Sequence, residues 1–284
     1  MNTAQRMRLN RRIDSLLSIM VSLIIIIFCL IPLVWIFATS IKPRGTEFLL
    51  PMQFWPSNPT LQAYRRVLVD LQFMRPIMNS FIVSSCVTIM GLFLASLSAY
   101  AIARLRIRYK IQALFLLQIG GMIPPVITIA PTFIMIRSLG LLGTLPGLML
   151  PHIFYNIPIS SWLLSTYFSD IPYSLDDSAL IDGCTHFQTF RKIILPLAAP
   201  GLFCAGIFAF IGSYGEFMLA STITMGQKAV QTVPVAILNF SVEFRLQWTW
   251  ISAGIILAVL PIILLVVIFQ RKVISGLTAG AVKG

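Results

Sequence analysis

The sequence predicts an all-α polytopic membrane protein with six transmembrane helices. Hydrophobic residues make up 57% of the 284 and charged residues only 11%, and a mean hydropathy of +0.89 lies far outside the globular range. The apolar residues arrive in six runs, each near the ~20 residues that a helix needs to cross a bilayer. Clusters of Lys and Arg sit beside these runs, as in loops that face anionic lipid. The net charge of +12 therefore points to membrane and not to nucleic acid, since the basic residues form no single stripe. Cys29, Cys86, Cys184 and Cys204 show no metal-ligand spacing, and three lie in apolar runs where a thiol acts as a small hydrophobe. No disulfide framework, metal or cofactor is expected on this chain.

Residues 1–14 form a basic tail, Arg6, Arg8, Arg11 and Arg12 against Asp14, which holds the N-terminus in the cytoplasm. Span one, residues 15–38, is longer than a signal-peptide core and lacks a small-residue cleavage end, so an uncleaved, lipid-facing anchor ending near Trp35 is expected. Residues 39–77, punctuated by Pro43, Pro51, Pro56 and Pro59, form a periplasmic loop of short elements. Span two, residues 78–103, is rich in Ser, Ala and Gly, the composition of a helix packed among others. Arg104, Arg106, Arg108 and Lys110 follow without an acid, a cytoplasmic loop.

Span three, residues 111–136, is interrupted at Gly120-Gly121-Met122-Ile123-Pro124-Pro125 and again at Pro131. Such breaks free backbone groups that protein or a watered cavity must satisfy. After a short external turn, span four, residues 145–168, runs through Pro151, His152, Asn156 and Pro158. Span five, residues 201–222, carries Gly212-Ser213-Tyr214-Gly215-Glu216, and a carboxylate at that depth needs a reason. Residues 226–247 form a second external loop, residues 249–270 the sixth span, and residues 271–284 a cytoplasmic tail that opens with Arg271 and Lys272. Thirteen of the 21 Lys and Arg fall on the assigned inside, which places both termini in the cytoplasm.

Residues 171–196 are a polar island between apolar runs, on the cytoplasmic side by the same charge bias. Ser174 is placed to cap a helix, with Asp177 three residues on as a weak capping box, and Asp176 and Asp177 sit where the helix dipole favours anions. The expected helix, residues 175–182, is about 12 Å long and ends at Gly183, the usual residue of a left-handed cap. It offers Ser178 and Ala179 on its exposed part. A second helix places Phe187, Phe190 and Ile194 on one face, and Pro196 stops it. Aspartates in place of lysines favour a protein partner over a lipid surface.

The spacing Asp177-Ser178-Ala179, three residues, Gly183, nine residues, Ile193-x-Leu195-Pro196 resembles the EAA loop of permease subunits of bacterial ABC importers. In that family the pattern is E-A-A, G, I-x-L-P, so Asp177 and Ser178 depart from it while Ala179, Gly183, Ile193, Leu195 and Pro196 agree. Ile181-Asp182-Gly183, Leu195-Pro196-Leu197 with Pro200-Gly201, Leu139-Gly140-Leu141 and the tail at residues 276–284 are similar to the carbohydrate, MalG-like branch of the binding-protein-dependent transport system inner-membrane components. Where that branch commonly shows W-N-E-F, this chain has Tyr214-Gly215-Glu216-Phe217.

The resemblance implies a type I ABC importer transmembrane domain with a cytoplasmic coupling-helix loop, in the inner membrane. It implies that Asp176, Asp177, Ser178, Ala179, Asp182, Gly183, Ile193, Leu195 and Pro196 couple to an ATPase dimer. ATP and Mg would sit on that partner, a second homologous permease would complete the pore, and a periplasmic or lipid-anchored binding protein would deliver a sugar or related solute. The tail is expected to reach the ATPase pair. Asn156, Ser213, Tyr214 and Glu216 are candidates for the translocation pathway. No G-x-x-x-x-G-K-[ST] phosphate loop occurs in the chain, in keeping with a subunit that couples and does not hydrolyse.

A membrane enzyme would use Ser213 as nucleophile, but no second histidine follows it as base, and His152 is expected to be a hydrogen-bonder packed in the bundle. A proton-coupled secondary transporter would use Glu216 as relay, yet the spans show no paired, inverted breaks.

Overall fold

The computed structural model describes residues 3–47, 53–242 and 245–279, with side chains for residues 14–47, 53–240 and 246–270. The chain divides into two units, Met1–Gln72 with Phe240–Leu257, and Phe73–Asn239 with Ala258–Gly284.

In the first unit the leading apolar run forms α1 (Thr3–Ser40), so the basic tail from Thr3 onward continues the same helix. Its side chains from Leu16 to Phe37 stay largely exposed, as on a helix whose solvent is lipid. Packing begins only at its end, where Thr39, Ser40, Ile41 and Lys42 are buried and Ser40 Oγ lies 2.7 Å from the Tyr64 hydroxyl. The following loop holds α2 (Gln62–Arg65), which runs into a wider turn at Arg66–Asp70. A two-residue antiparallel pairing, β1 (Ser241–Val242) with β2 (Arg245–Leu246), is the one strand pairing among the described residues.

The second unit is built around α3 (Met74–Arg104). Val83, Val87, Gly91, Ala95, Ala99 and Ala103 recur every fourth residue and are all buried, a small-residue stripe that lets a neighbouring helix come close. That neighbour is α6 (Leu145–Asp170). Ser98 and Ser161 meet across the contact at 2.6 Å, so hydroxyls help hold two helices that lipid alone would not drive together.

Between them run α4 (Lys110–Met122) and α5 (Pro125–Ser138), bent by 90° at Ile123-Pro124. The expected single span three is therefore two helices. Pro124 and Pro125 supply no N–H to continue the ladder, and Ile123 is pushed to the extended region that precedes proline.

After α6 come α7 (Ser174–Ile181) and α8 (His186–Leu197), then α9 (Ala199–Tyr214), α10 (Met218–Ile223), α11 (Val233–Leu238) and α12 (Trp248–Ala279), which begins in the first unit and ends in the second. Expected span five is likewise split, with α9 stopping at Tyr214 and α10 starting after Gly215-Glu216-Phe217.

Among the described residues, three helical stretches, Asp14–Ser40, Met74–Arg104 and Trp248–Gln270, are long and apolar enough to cross a membrane singly. The bent pairs Lys110–Met122 with Pro125–Ser138, and His186–Leu197 with Ala199–Tyr214, raise that to five. The remaining expected span is α6, whose Pro151, His152, Asn156, Ser160 and Ser161 make it more polar; one side of it is buried, while Phe154, Ile159 and Trp162 stand exposed.

Two apolar clusters hold the second unit. One gathers Val83, Val87, Ile136, Leu148, Leu219 and Ile223. The other gathers Ala99, Tyr100, Leu164, Phe168, Phe190 and Ile194, where the α7–α8 loop sits on the ends of α3 and α6. Gly147 lies beside the first cluster, with an added Cβ only 2.2 Å from the Leu141 carbonyl oxygen. Gly147→Ala is expected to cost about 1–3 kcal/mol by overpacking against backbone that cannot yield, read as a lowered unfolding midpoint of the detergent-solubilised protein.

Candidate functional site

The α7–α8 loop is built from local signals, though not all the expected ones. α7 does not use Ser174 as its cap. The helix starts at Ser174 itself after a helical Tyr173 (φ −65, ψ −25), and no side chain caps it. Pro172 presets the turn one residue earlier, so the amides of Asp176 and Asp177 both donate to the Tyr173 carbonyl. The C-terminal expectation holds: Gly183 has φ +82, Cys184 N donates to Ala179 O at 2.9 Å and Gly183 N to Leu180 O at 3.1 Å. These are the paired bonds of a left-handed helix stop.

A capping box does form, at α8. Thr185 Oγ1 accepts from Gln188 N, and Gln188 Oε1 accepts from Thr185 N at 2.8 Å. Pro196 does not stop α8. The turn at Phe190–Ile194 widens so that Leu195 N donates to Phe190 O, which shifts the ladder past the missing proline N–H and lets the helix run to Leu197. A 78° bend at Ala198 follows.

The nine residues assigned to coupling divide by environment. Asp177, Ser178, Asp182, Gly183 and Pro196 are exposed. Ala179, expected on the open face, is 3% exposed and turned inward, because Ser178 and Ala179 are adjacent on a helix and cannot share a face. Ile193 and Leu195 pack against the buried cluster, and Asp176 points inward to Arg104 at 3.4 Å. The open face carries apolar residues instead: Ile181 is 85% exposed, with Leu180 and Phe187 beside it in the loop.

The inward side is anchored. Tyr173 Oη donates to Ala103 O at 2.9 Å, Tyr100 Oη donates to His186 O at 3.1 Å, and Phe190 packs on Tyr100 and Phe168. Sequence reasoning missed Tyr173, Tyr100 and the packing role of Arg104. The one available signal was a basic residue where the small-residue run of α3 ends.

The pathway candidates come together in part. A cleft of about 570 Å³ is lined by His152, Tyr155, Asn156, Ser160 and Trp162 of α6, by Phe208, Gly212 and Ser213 of α9, by Glu216, and by Gly121 and Pro125 at the α4–α5 bend. Asn156, Ser213 and Glu216 thus share one cavity. Tyr214 does not: it is 3% exposed, and its hydroxyl donates to Ala258 O at 3.0 Å on the far side of α9.

His152 bridges the group, with Nδ1 3.0 Å from Ser213 Oγ and Nε2 3.2 Å from Glu216 Oε2. His152, 5% exposed, is thus the bundle-packed hydrogen-bonder that was expected, and its partners across the helices are Ser213 and Glu216. Glu216 also accepts from Leu219 N at 2.8 Å and Ala220 N at 3.0 Å, closing the first turn of α10 where the chain breaks. The arrangement is a polar tie between α6, α9 and α10, and its carboxylate answers the backbone groups that the break frees.

The tail at residues 276–284 lies outside the described side chains, and residues 280–284 outside the described residues.

Residues 87–278 match the family described as binding-protein-dependent transport system inner membrane component. The chain is 36% identical to the sulfoquinovosyl glycerol transport system permease protein SmoH of Agrobacterium fabrum, over 92% of this chain and 91% of that one. It is 39% identical to the trehalose transport system permease protein SugB of Mycobacterium tuberculosis, over 90% and 93%. Its fold matches a chain of a bacterial ABC transporter involved in import of the acidic polysaccharide alginate, with a TM-score of 0.75 at 22% identity over 92% and 97%. These relatives are transport permeases, which sets aside both the enzyme and the proton-coupled reading. The chain belongs to the binding-protein-dependent transport system inner-membrane components, as a membrane-embedded permease subunit of an ABC importer.

Proposed function

We propose that this permease translocates a sugar or related solute and is driven through α7 by a separate ATPase pair. The observation that carries the coupling is the two-sided α7–α8 loop: Tyr100, Tyr173 and Phe190 hold one side, while Leu180, Ile181, Phe187 and Asp177 stand bare on the other. Exposed apolar residues ringed by charge suit a protein interface. Asp176, Ala179, Ile193 and Leu195 would then seat the loop, and Asp177, Ser178, Asp182, Gly183 and Pro196 would lie nearer the ATPase. ATP and Mg belong to that partner. The loop and both termini face the cytoplasm on the charge bias of the short loops. A second, homologous permease completes the pore, an external binding protein delivers the solute, and α1 faces lipid.

The sugar class is supported by the substrates in the names of SmoH and SugB. It also suits the cleft, where Trp162 and Phe208 offer aromatic faces beside Asn156, Ser160 and Glu216 for hydroxyls. The test is uptake into proteoliposomes holding the whole complex, its binding protein and internal ATP, with labelled di- and oligosaccharides. Uptake that needs ATP and the binding protein is expected. Uptake driven by a proton gradient without ATP would sink the proposal.

A further inference from the structure

Arg104 is the last residue of α3, and its side chain is only 1% exposed. Its Nη2 lies 3.4 Å from Asp176 Oδ2, and its guanidinium carbon sits 4.5 Å from the Tyr173 ring centroid. None of its three nitrogens has a hydrogen bond, and neither has Asp176 Oδ2. One residue earlier, the Ala103 carbonyl accepts from Tyr173 Oη at 2.9 Å. Two consecutive residues at the end of α3 are thus held by Tyr173 and Asp176, which are three apart and so share a face at the start of α7.

We propose that Arg104 is a positioning residue, a charge latch that makes α7 and α3 move as one body. A guanidinium withdrawn from water is tolerable only beside its counter-charge, so separating α7 from α3 would leave a bare buried cation. Both helix ends favour the arrangement, the cation at the C-terminus of α3 and the carboxylate in the first turn of α7. Asp177, next along, is exposed, so one aspartate serves the bundle and its neighbour remains for a partner. The latch rests on the reading that α7 receives a push from the ATPase, and it supplies what that reading lacks, a rigid route into the helix around which the second unit is built.

The experiment uses the assembled complex with spin labels at Ser174→Cys on α7 and Ile89→Cys on α3, both exposed, in a background with Cys29, Cys86, Cys184 and Cys204 replaced. One narrow distance is expected, unchanged by ATP with vanadate. Arg104→Met should lower the unfolding midpoint and broaden that distance even in the resting complex. Arg104→Met/Asp176→Leu removes both charges, so stability should return while the distance stays broad; a purely architectural pair would restore both, and that result overturns the latch. Arg104→Lys, which keeps the charge, should hold the distance narrow, and a distance as broad as in Arg104→Met would also overturn it. Failure of the docking reading is seen separately: Ile181→Asp should reduce co-purification of the ATPase, and unchanged co-purification counts against docking, not against the latch.

Discussion

Gly183→Asp is expected to leave the permease folded and inserted while ATP-driven uptake falls by about one to two orders of magnitude, the scale of a lost coupling energy of about 1–3 kcal/mol. Gly183 has φ +82, and a Cβ built there meets nothing within 4 Å, so the cost inside this chain is backbone strain of about 1 kcal/mol. Aspartate is among the residues that accept this conformation best, and the bonds from Cys184 and Gly183 that close α7 use backbone alone. What changes is the outer surface, which gains a carboxylate beside Asp182 and next to the bare Ile181. The measurement is uptake together with co-purification of the ATPase. Normal uptake with a normally assembled ATPase would show that nothing docks at this turn.

Glu216→Ala is expected to destabilise the protein by about 3 kcal/mol, since it strands several buried donors at about 1–3 kcal/mol for each group left unsatisfied. The donors are the amides of Leu219 and Ala220, and the change also removes the partner of His152 Nε2. Glu216→Gln keeps one acceptor oxygen and should lose about 1 kcal/mol. The unfolding midpoints of the two variants decide the matter: if Glu216→Ala melts with the wild type, the tie between α6, α9 and α10 is not what holds the break.

Signals that live within one turn of chain were legible in the sequence. Gly183 takes the left-handed stop because only a residue without a Cβ adopts it freely, and the break at Ile123-Pro124-Pro125 follows from missing donors. The island of residues 171–196 stood out because its aspartates and lysine interrupt apolar runs. Even at this range competing local effects misled: Pro172 started α7 before Ser174 could cap it, and the widened turn at Phe190–Ile194 carried α8 past Pro196.

Pairings across helices were not legible. Arg104 read as one more cytoplasmic cation, yet it is buried against Asp176 72 positions later. His152 read as a hydrogen-bonder of the bundle, yet nothing along the chain named its partners, Ser213 at 3.0 Å and Glu216 at 3.2 Å. By itself, the sequence determined six apolar stretches, the family and the loop that marks it, because hydropathy and helix-stop chemistry depend on neighbours along the chain. Only the tertiary structure decided which side of that loop is anchored and which is bare, and which polar groups answer the breaks in the spans. A buried charge or amide is satisfied by whatever the packing of α3, α6 and α9 brings within about 3 Å, and that distance is set in space.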